Sequence, residues 1–267
     1  MGDTSDANRR WAEALARWAI PDALVAAAPE SPYFFDSKVF AGAADEALAR
    51  EEDTPSDRVA RDALPPGGTV LDVGVGAGAA SLRLGAARVV GVDVSRELLD
   101  AFAERAARLG IEAECVEGRW PDVVSTTPRA DVVVCHHVAY NVADLASFVE
   151  ACSDRAGRRV VVEVTSVHPM SWMRPYWEAL HGLAQPDGPT VDDVIDVLTG
   201  RGLEVQQHRW QRSMQMLGED DEDRVARIGR RLCLPAARYD ELRAALEAVP
   251  PPVQREVTTL WWEAWGW

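Results

Sequence analysis

The chain has one lysine, Lys38, among 267 residues; every other basic side chain is arginine. Alanine, valine and glycine are abundant, so a GC-rich coding bias accounts for the preference, and no function is read from it. The lone lysine does limit one chemistry: a tyrosine–lysine proton relay has a single candidate. Basic charge is also scarce. With 28 basic and 43 acidic side chains, the formal net charge is −15. That average field repels a polyanion, and nucleic-acid binding depends on neutralising phosphates, so a nucleic-acid partner is disfavoured. Cysteine is sparse: Cys115, Cys135, Cys152 and Cys233 contain no CxxC pair, which excludes the common zinc and redox spacings and leaves no metal site to name. Four scattered cysteines fit a reducing compartment. Long apolar runs are missing too. None approaches the roughly eighteen residues of a membrane span, and the start, MGDTSDANRRW, lacks the apolar core of a signal peptide. The expectation is a cytoplasmic protein with no membrane partner.

What is present divides the chain in two. Residues 1–8 read as a disordered start. Residues 9–28 have helical spacing, with Trp11, Leu15, Trp18 and Leu24 as core candidates and Pro21 as the break. The segment SPYFFDSKVF is a Pro-started aromatic loop, and residues 43–52 read as helix again. Ser56 is the expected cap of a further helix that ends at Pro65–Gly68. From Thr69 strands and helices alternate: TVLDVG, a short helix over 79–84, RVVGVDV, a helix from Ser95 to Leu109, IEAECVE, ADVVVCH, a helix capped by Asp144, and RRVVVEVTS. The short β-branched runs are those of buried parallel strands. Two helical stretches at about 170–184 and 190–200 follow, then a strand over 202–210, a mainly helical insertion at 211–253, and the closing strand EVTTLWW. The expected architecture is a doubly wound, mostly parallel, seven-stranded α/β sheet. It divides into an N-terminal helical extension (1–55) and a main domain (56–267).

The loop DVGVGAGA sets Gly74, Gly76 and Gly78 between a strand and a helix, where a ligand can approach a backbone without Cβ atoms. Asp93 ends the next strand, where an acid accepts hydrogen bonds from ribose hydroxyls. A nicotinamide enzyme would also show such a loop. Asp72 argues otherwise, because a carboxylate two residues before the glycines works against a pyrophosphate at the helix start. It suits a cofactor carrying an ammonium and a sulfonium.

These residues resemble the class I S-adenosylmethionine-dependent methyltransferase family. LDVGVGAG is similar to that family's first motif, and the resemblance runs over about residues 56–166. It implies a Rossmann-like methyltransferase fold with S-adenosylmethionine as cofactor. The loop Gly74, Val75, Gly76 and Gly78 would cradle the methionine part, with Asp72 near its ammonium; Asp93 would hold the ribose, and Val94 is a further cofactor contact. After the third strand many members carry an acid for the adenine amino group. Here EGRWPD puts Arg119 at that place, a departure that leaves the adenine contact to Trp120 by stacking, to Arg119, or to Glu117 or Asp122. The fourth stretch, ADVVVCHHVAYNVADL, brings Cys135 and His136 towards the cofactor and His136 or His137 towards the acceptor as a general base.

Tyr33, Phe34, Phe35, Tyr140, His168 and Trp172 are candidates for an acceptor wall. The expected function is methyl transfer to an O- or N-nucleophile of a small molecule, with the N-terminal helices as a lid. A protein acceptor ranks second and nucleic acid last. The rivals are a non-catalytic cofactor-binding module and a nicotinamide-dependent oxidoreductase. A homodimer is the assembly considered.

Overall fold

Strands and helices alternate through the middle of the chain in the computed structural model, which describes residues 4–33, 37–214 and 221–264. Four helices precede the first strand: α1 (Thr4–Ala16), α2 (Asp22–Ala27), α3 (Ser37–Ala49) and α4 (Pro55–Ala63). Then come β1 (Thr69–Val73), β2 (Arg88–Asp93), α5 (Arg96–Leu109), β3 (Glu112–Glu117), β4 (Ala130–His136), α6 (Leu145–Arg155) and β5 (Ala156–Thr165). The remainder is α7 (Arg174–His181), α8 (Val191–Gly200), β6 (Gln206–Ser213), α9 (Asp221–Arg231), α10 (Tyr239–Ala248) and β7 (Gln254–Glu263). The strands form one sheet in the order β3-β2-β1-β4-β5-β7-β6, and β7 runs against both its neighbours. The chain therefore reverses its direction of travel across the sheet between β1 and β4. In open α/β sheets the ligand crevice lies at the carboxyl ends of the strands beside such a switch.

Strand alternation sorts the core into two layers. On β5, Val160, Val162 and Val164 join Trp11, Phe148, Val194 and Leu198 on the face covered by α1, α6 and α8. Val161 points the other way, with Ala60, Leu99 and Phe102 under α4 and α5. Glu163 is the next residue on that second face, and it too is buried. A separate apolar cluster joins α7, α9 and α10 through Met173, Trp177, Ile228 and Leu242.

The helix ends follow local chemistry. Ser95 caps α5 through Leu98, and Gly110 closes it in the left-handed conformation. Asp144 caps α6 and also accepts from Asn8, which docks α1 on the same turn. Other expectations need correction. Thr54, not Ser56, caps α4: it exchanges bonds with Asp57 in a capping box, and Pro55 takes the first turn, where its missing N–H costs nothing. Ser56 is thereby turned inward. The stretch 79–84 is a series of turns rather than a helix, since three glycines leave too few residues to propagate one. Helix α1 starts at Thr4, inside the expected disordered start. The third helix begins at Ser37 rather than residue 43, and β6 starts four residues later than expected. No helix among the described residues is long and apolar enough to cross a membrane.

Candidate functional site

Strand β1 ends in the glycine loop. Gly74, Gly76 and Gly78 all have positive φ. A Cβ on Gly74 would lie 2.5 Å from Val138 Cγ2, so the segment leaving β4 packs directly on the glycine loop. The nearest atom to a Cβ on Gly76 would be in Phe40 of α3, at 3.6 Å, which puts α3 over the loop. Helix α3 is held there by Arg105, which donates to Asp45 and to the Ala41 carbonyl, and by Ser37, which donates to Glu97.

Beneath the loop lies the buried Asp72, neither of whose carboxylate oxygens has a hydrogen-bond partner. Burial pushes its pKa up to about 7; the Ser81 hydroxyl, near enough to oppose the shift but outside hydrogen-bonding geometry, is itself unpartnered, and the charge of Asp93 reinforces the rise. An orphaned buried carboxylate is costly unless a cation completes it. Asp93 is held differently. Its two oxygens accept from Gly76 N and Ser95 N, both at 2.9 Å, which fixes the carboxylate and leaves a lone pair on each oxygen. Val94, next in line, is 67% exposed, a bare apolar surface at the crevice rim. These acceptors and surfaces fit S-adenosylmethionine: an unpaired carboxylate for its ammonium, a rigid acid for ribose and an apolar surface for adenine.

Other expected cofactor residues sit elsewhere. Val75 and Cys135 are buried in the core, so only their backbone is available to a ligand. Trp120 is a correction. Its indole N–H donates to the Phe148 carbonyl and its ring belongs to the main core, so packing replaces the expected stack on adenine. Trp120→Ala should therefore destabilise the fold by about 3–5 kcal/mol, read as a fall in denaturation midpoint, while S-adenosylhomocysteine affinity stays within a few-fold of wild type. Glu117, at the end of β3, and Arg119 and Asp122 beyond it are exposed.

The exits of β4 and β5 gather a polar cluster that the sequence reading only half found. His136 and His137 are there, and so is Glu163. Glu163 Oε2 accepts from Ser56 at 2.6 Å, and Oε1 accepts from Arg212 at 2.8 Å. His137 Nε2 lies 3.0 Å from Oε1, while His136 Nδ1 is 3.9 Å from Oε2. Burial alone would raise the Glu163 pKa; the two histidines and Arg212 hold it well below the usual carboxylate value. Burial draws both histidines below the normal imidazole value, and Glu163 opposes that pull. His136 faces the buried sheet surface, and its Nε2 is unpartnered. His137 is the more open of the two, with 33% of its side chain exposed. It adopts a φ of +61°, strained for a residue with a Cβ, and its N–H donates to the Glu163 carbonyl. The ring and backbone of His137 are thus both tied to Glu163.

The expected acceptor wall divides. Tyr140 and His168 meet edge-on, with Trp18 stacked on His168 at 4.0 Å and Trp11 against Tyr140. The Tyr140 hydroxyl donates to the Thr165 carbonyl, and burial lowers His168 to about 4. Trp172 packs instead on Tyr176 in the cluster of α7, α9 and α10. Tyr33 is 56% exposed. Phe34 and Phe35 lie outside the described residues.

Residues 70–156 match the methyltransferase domain family. The ribosomal protein L11 methyltransferase of Xylella fastidiosa is 34% identical over 137 residues, covering 49% of this chain and 44% of that protein. Its Aeromonas hydrophila counterpart is 37% identical over 86 residues, 31% and 29% of the two chains. The chain thus spans less than half the length of these relatives. Among solved structures, a Bacillus halodurans protein assigned as a methyltransferase superposes with a TM-score of 0.56 at 17% identity, covering 78% of this chain and 96% of that one. The YcgJ protein of Bacillus subtilis gives 0.55 at 15%, covering 82% and 98%. The family match shows a methyltransferase domain over residues 70–156, and the sheet order and glycine loop agree with it.

Proposed function

We propose that the chain transfers a methyl group from S-adenosylmethionine to an O–H or N–H of a small molecule, with His137 as general base. The observation that carries this is the placement of His137. It is tied to Glu163 and precedes Val138, which packs on Gly74 of the cofactor loop. Bound S-adenosylmethionine supplies an electrophilic methyl on its sulfonium. Asp72 would hold the ammonium, Asp93 the ribose hydroxyls, and Val94 would lie under the adenine. Arg212 Nη1 lies 3.2 Å from His137 Nε2 but donates to Glu163 at 2.8 Å; with Glu163 the stronger acceptor for both, His137 carries its proton on Nε2 and donates it to Glu163. That leaves the Nδ1 lone pair to take the proton of the acceptor. Residues 1–55 act as the lid over this site, with Phe40 of α3 excluding water above Gly76; residues 56–267 form the catalytic domain. The four free cysteines suit the reducing cytoplasm.

Calorimetry with S-adenosylmethionine and S-adenosylhomocysteine tests the cofactor. Binding of both at micromolar Kd is expected, and failure of both to bind ends this reading. The names of the curated relatives favour a second reading, a ribosomal-protein acceptor. Incubation with labelled S-adenosylmethionine separates the two: label in low-mass extract supports the first, and label in ribosomal protein supports the second.

A further inference from the structure

Strands β6 and β7 place Arg212 directly opposite Arg255. Along β7, Arg255, Val257 and Thr259 share one face, and Thr259 is the register partner of Glu163. The two arginines therefore extend the same surface that carries Glu163 and His137. Arg212 reaches Glu163 at 2.8 Å and lies 3.2 Å from His137 Nε2. Arg255 makes no hydrogen bond or ion pair among the described residues, and its Nε is buried and unpartnered. Like charges directly opposite each other on neighbouring strands destabilise a sheet, and an unpaired, half-buried charge adds to that cost. Burial, then the charge of Arg212, pulls Arg255 below the usual guanidinium value. Among the described residues Glu163 is the one carboxylate acting on Arg255, and it already accepts from Ser56, His137 and Arg212. Among the described residues, two guanidiniums against one carboxylate leave a single positive charge beside the general base, in a chain whose net charge is −15. Fold stability does not ask for this arrangement; recognition of an anion does.

We propose that Arg212 and Arg255 anchor a carboxylate of the methyl acceptor, so that the acceptor is a hydroxy or amino acid in the broad chemical sense. The guanidinium fork matches a carboxylate in two bonds. A monoanion neutralises the surplus charge, whereas a phosphate dianion beside Glu163 would reverse it. The anchored acceptor would then present its O–H or N–H to His137 Nδ1. This rests on the reading of His137 as the acceptor side of the site.

The test uses the full chain saturated with S-adenosylhomocysteine, and benzoate, 4-hydroxybenzoate and hexanoate as probes against benzamide and phenyl phosphate. The carboxylates should raise the melting temperature and benzamide should not. Arg255→Gln should weaken carboxylate binding at least tenfold and leave S-adenosylhomocysteine binding unchanged. Its ligand-free melting temperature should equal or exceed wild type, because a repulsive, unpaired charge has been removed. The proposal is overturned by a lower melting temperature in Arg255→Gln, by equal binding of benzoate and benzamide, or by absence of carboxylate binding. Tighter binding of phenyl phosphate than benzoate overturns the carboxylate assignment. Loss of S-adenosylhomocysteine binding by the wild type would instead strike the cofactor reading, which keeps the two failures apart.

Discussion

Asp72→Asn is expected to stabilise the ligand-free protein above pH 7 and to weaken S-adenosylmethionine binding by roughly a hundredfold, about 3 kcal/mol. Both effects come from one buried carboxylate without a partner. Its pKa in the fold is about 7, against 3.8 for the free side chain. The folded state therefore binds this proton more tightly than the unfolded state. The associated stability is fully present below about pH 4 and is lost as pH rises through 7. Asn carries no charge to desolvate, although its amide also wants partners. The net gain should be about 1–2 kcal/mol at pH 8, a few degrees in melting temperature, shrinking to nothing near pH 4.

Ligand binding should show the opposite trend. An ammonium needs the ionised form, so wild-type affinity should fall up to about tenfold for each pH unit below 7. Binding near pH 6 should release close to one proton. Titrations in buffers of different ionisation enthalpy measure that proton, and the Asn variant should release none. A pH-independent affinity in wild type would remove Asp72 from the ammonium site.

The legible parts of the fold were those in which local and global signals agree. LDVGVGAG, the caps at Ser95 and Asp144 and the β-branched runs of β4 and β5 each depend on a few adjacent residues. The misreadings had long-range causes. Ser56 reads as a cap by type, but Pro55 and Asp57 move the cap to Thr54 and free the Ser56 hydroxyl for Glu163, 107 residues away. Trp120 reads as a stacking platform, but its partner is a carbonyl on α6. Glu163 did leave a signal: it is the one acid inside RRVVVEVTS, an apolar run that buries both faces. A carboxylate there requires cations or donors nearby, and the two histidines one strand away were the natural candidates. Arg212 and Arg255 left none, because β6 and β7 come together only after the long helical excursion between them.

Among these groups His137 carries the larger kinetic expectation. Its φ of +61° narrows the choice of variant. Asn accepts the left-handed region better than other residues with a side chain, so His137→Asn removes the base while keeping the turn. Methyl transfer should fall about 10²–10⁴-fold, with S-adenosylhomocysteine affinity unchanged. In wild type the base is active when neutral, and burial holds its pKa below 6.5, so activity should rise along an acidic limb centred below that value. Glu163 is what opposes the burial effect. Glu163→Gln removes the opposing charge, so the limb should move to still lower pH even as the looser ring lowers the plateau. The same shift should appear, without any acceptor, in the NMR titration of the His137 ring. A limb that moves to higher pH in Glu163→Gln, or an unaltered rate in His137→Asn, would take the proton transfer away from this pair. The direction distinguishes a carboxylate that sets the charge state of the base from one that merely fills a buried corner.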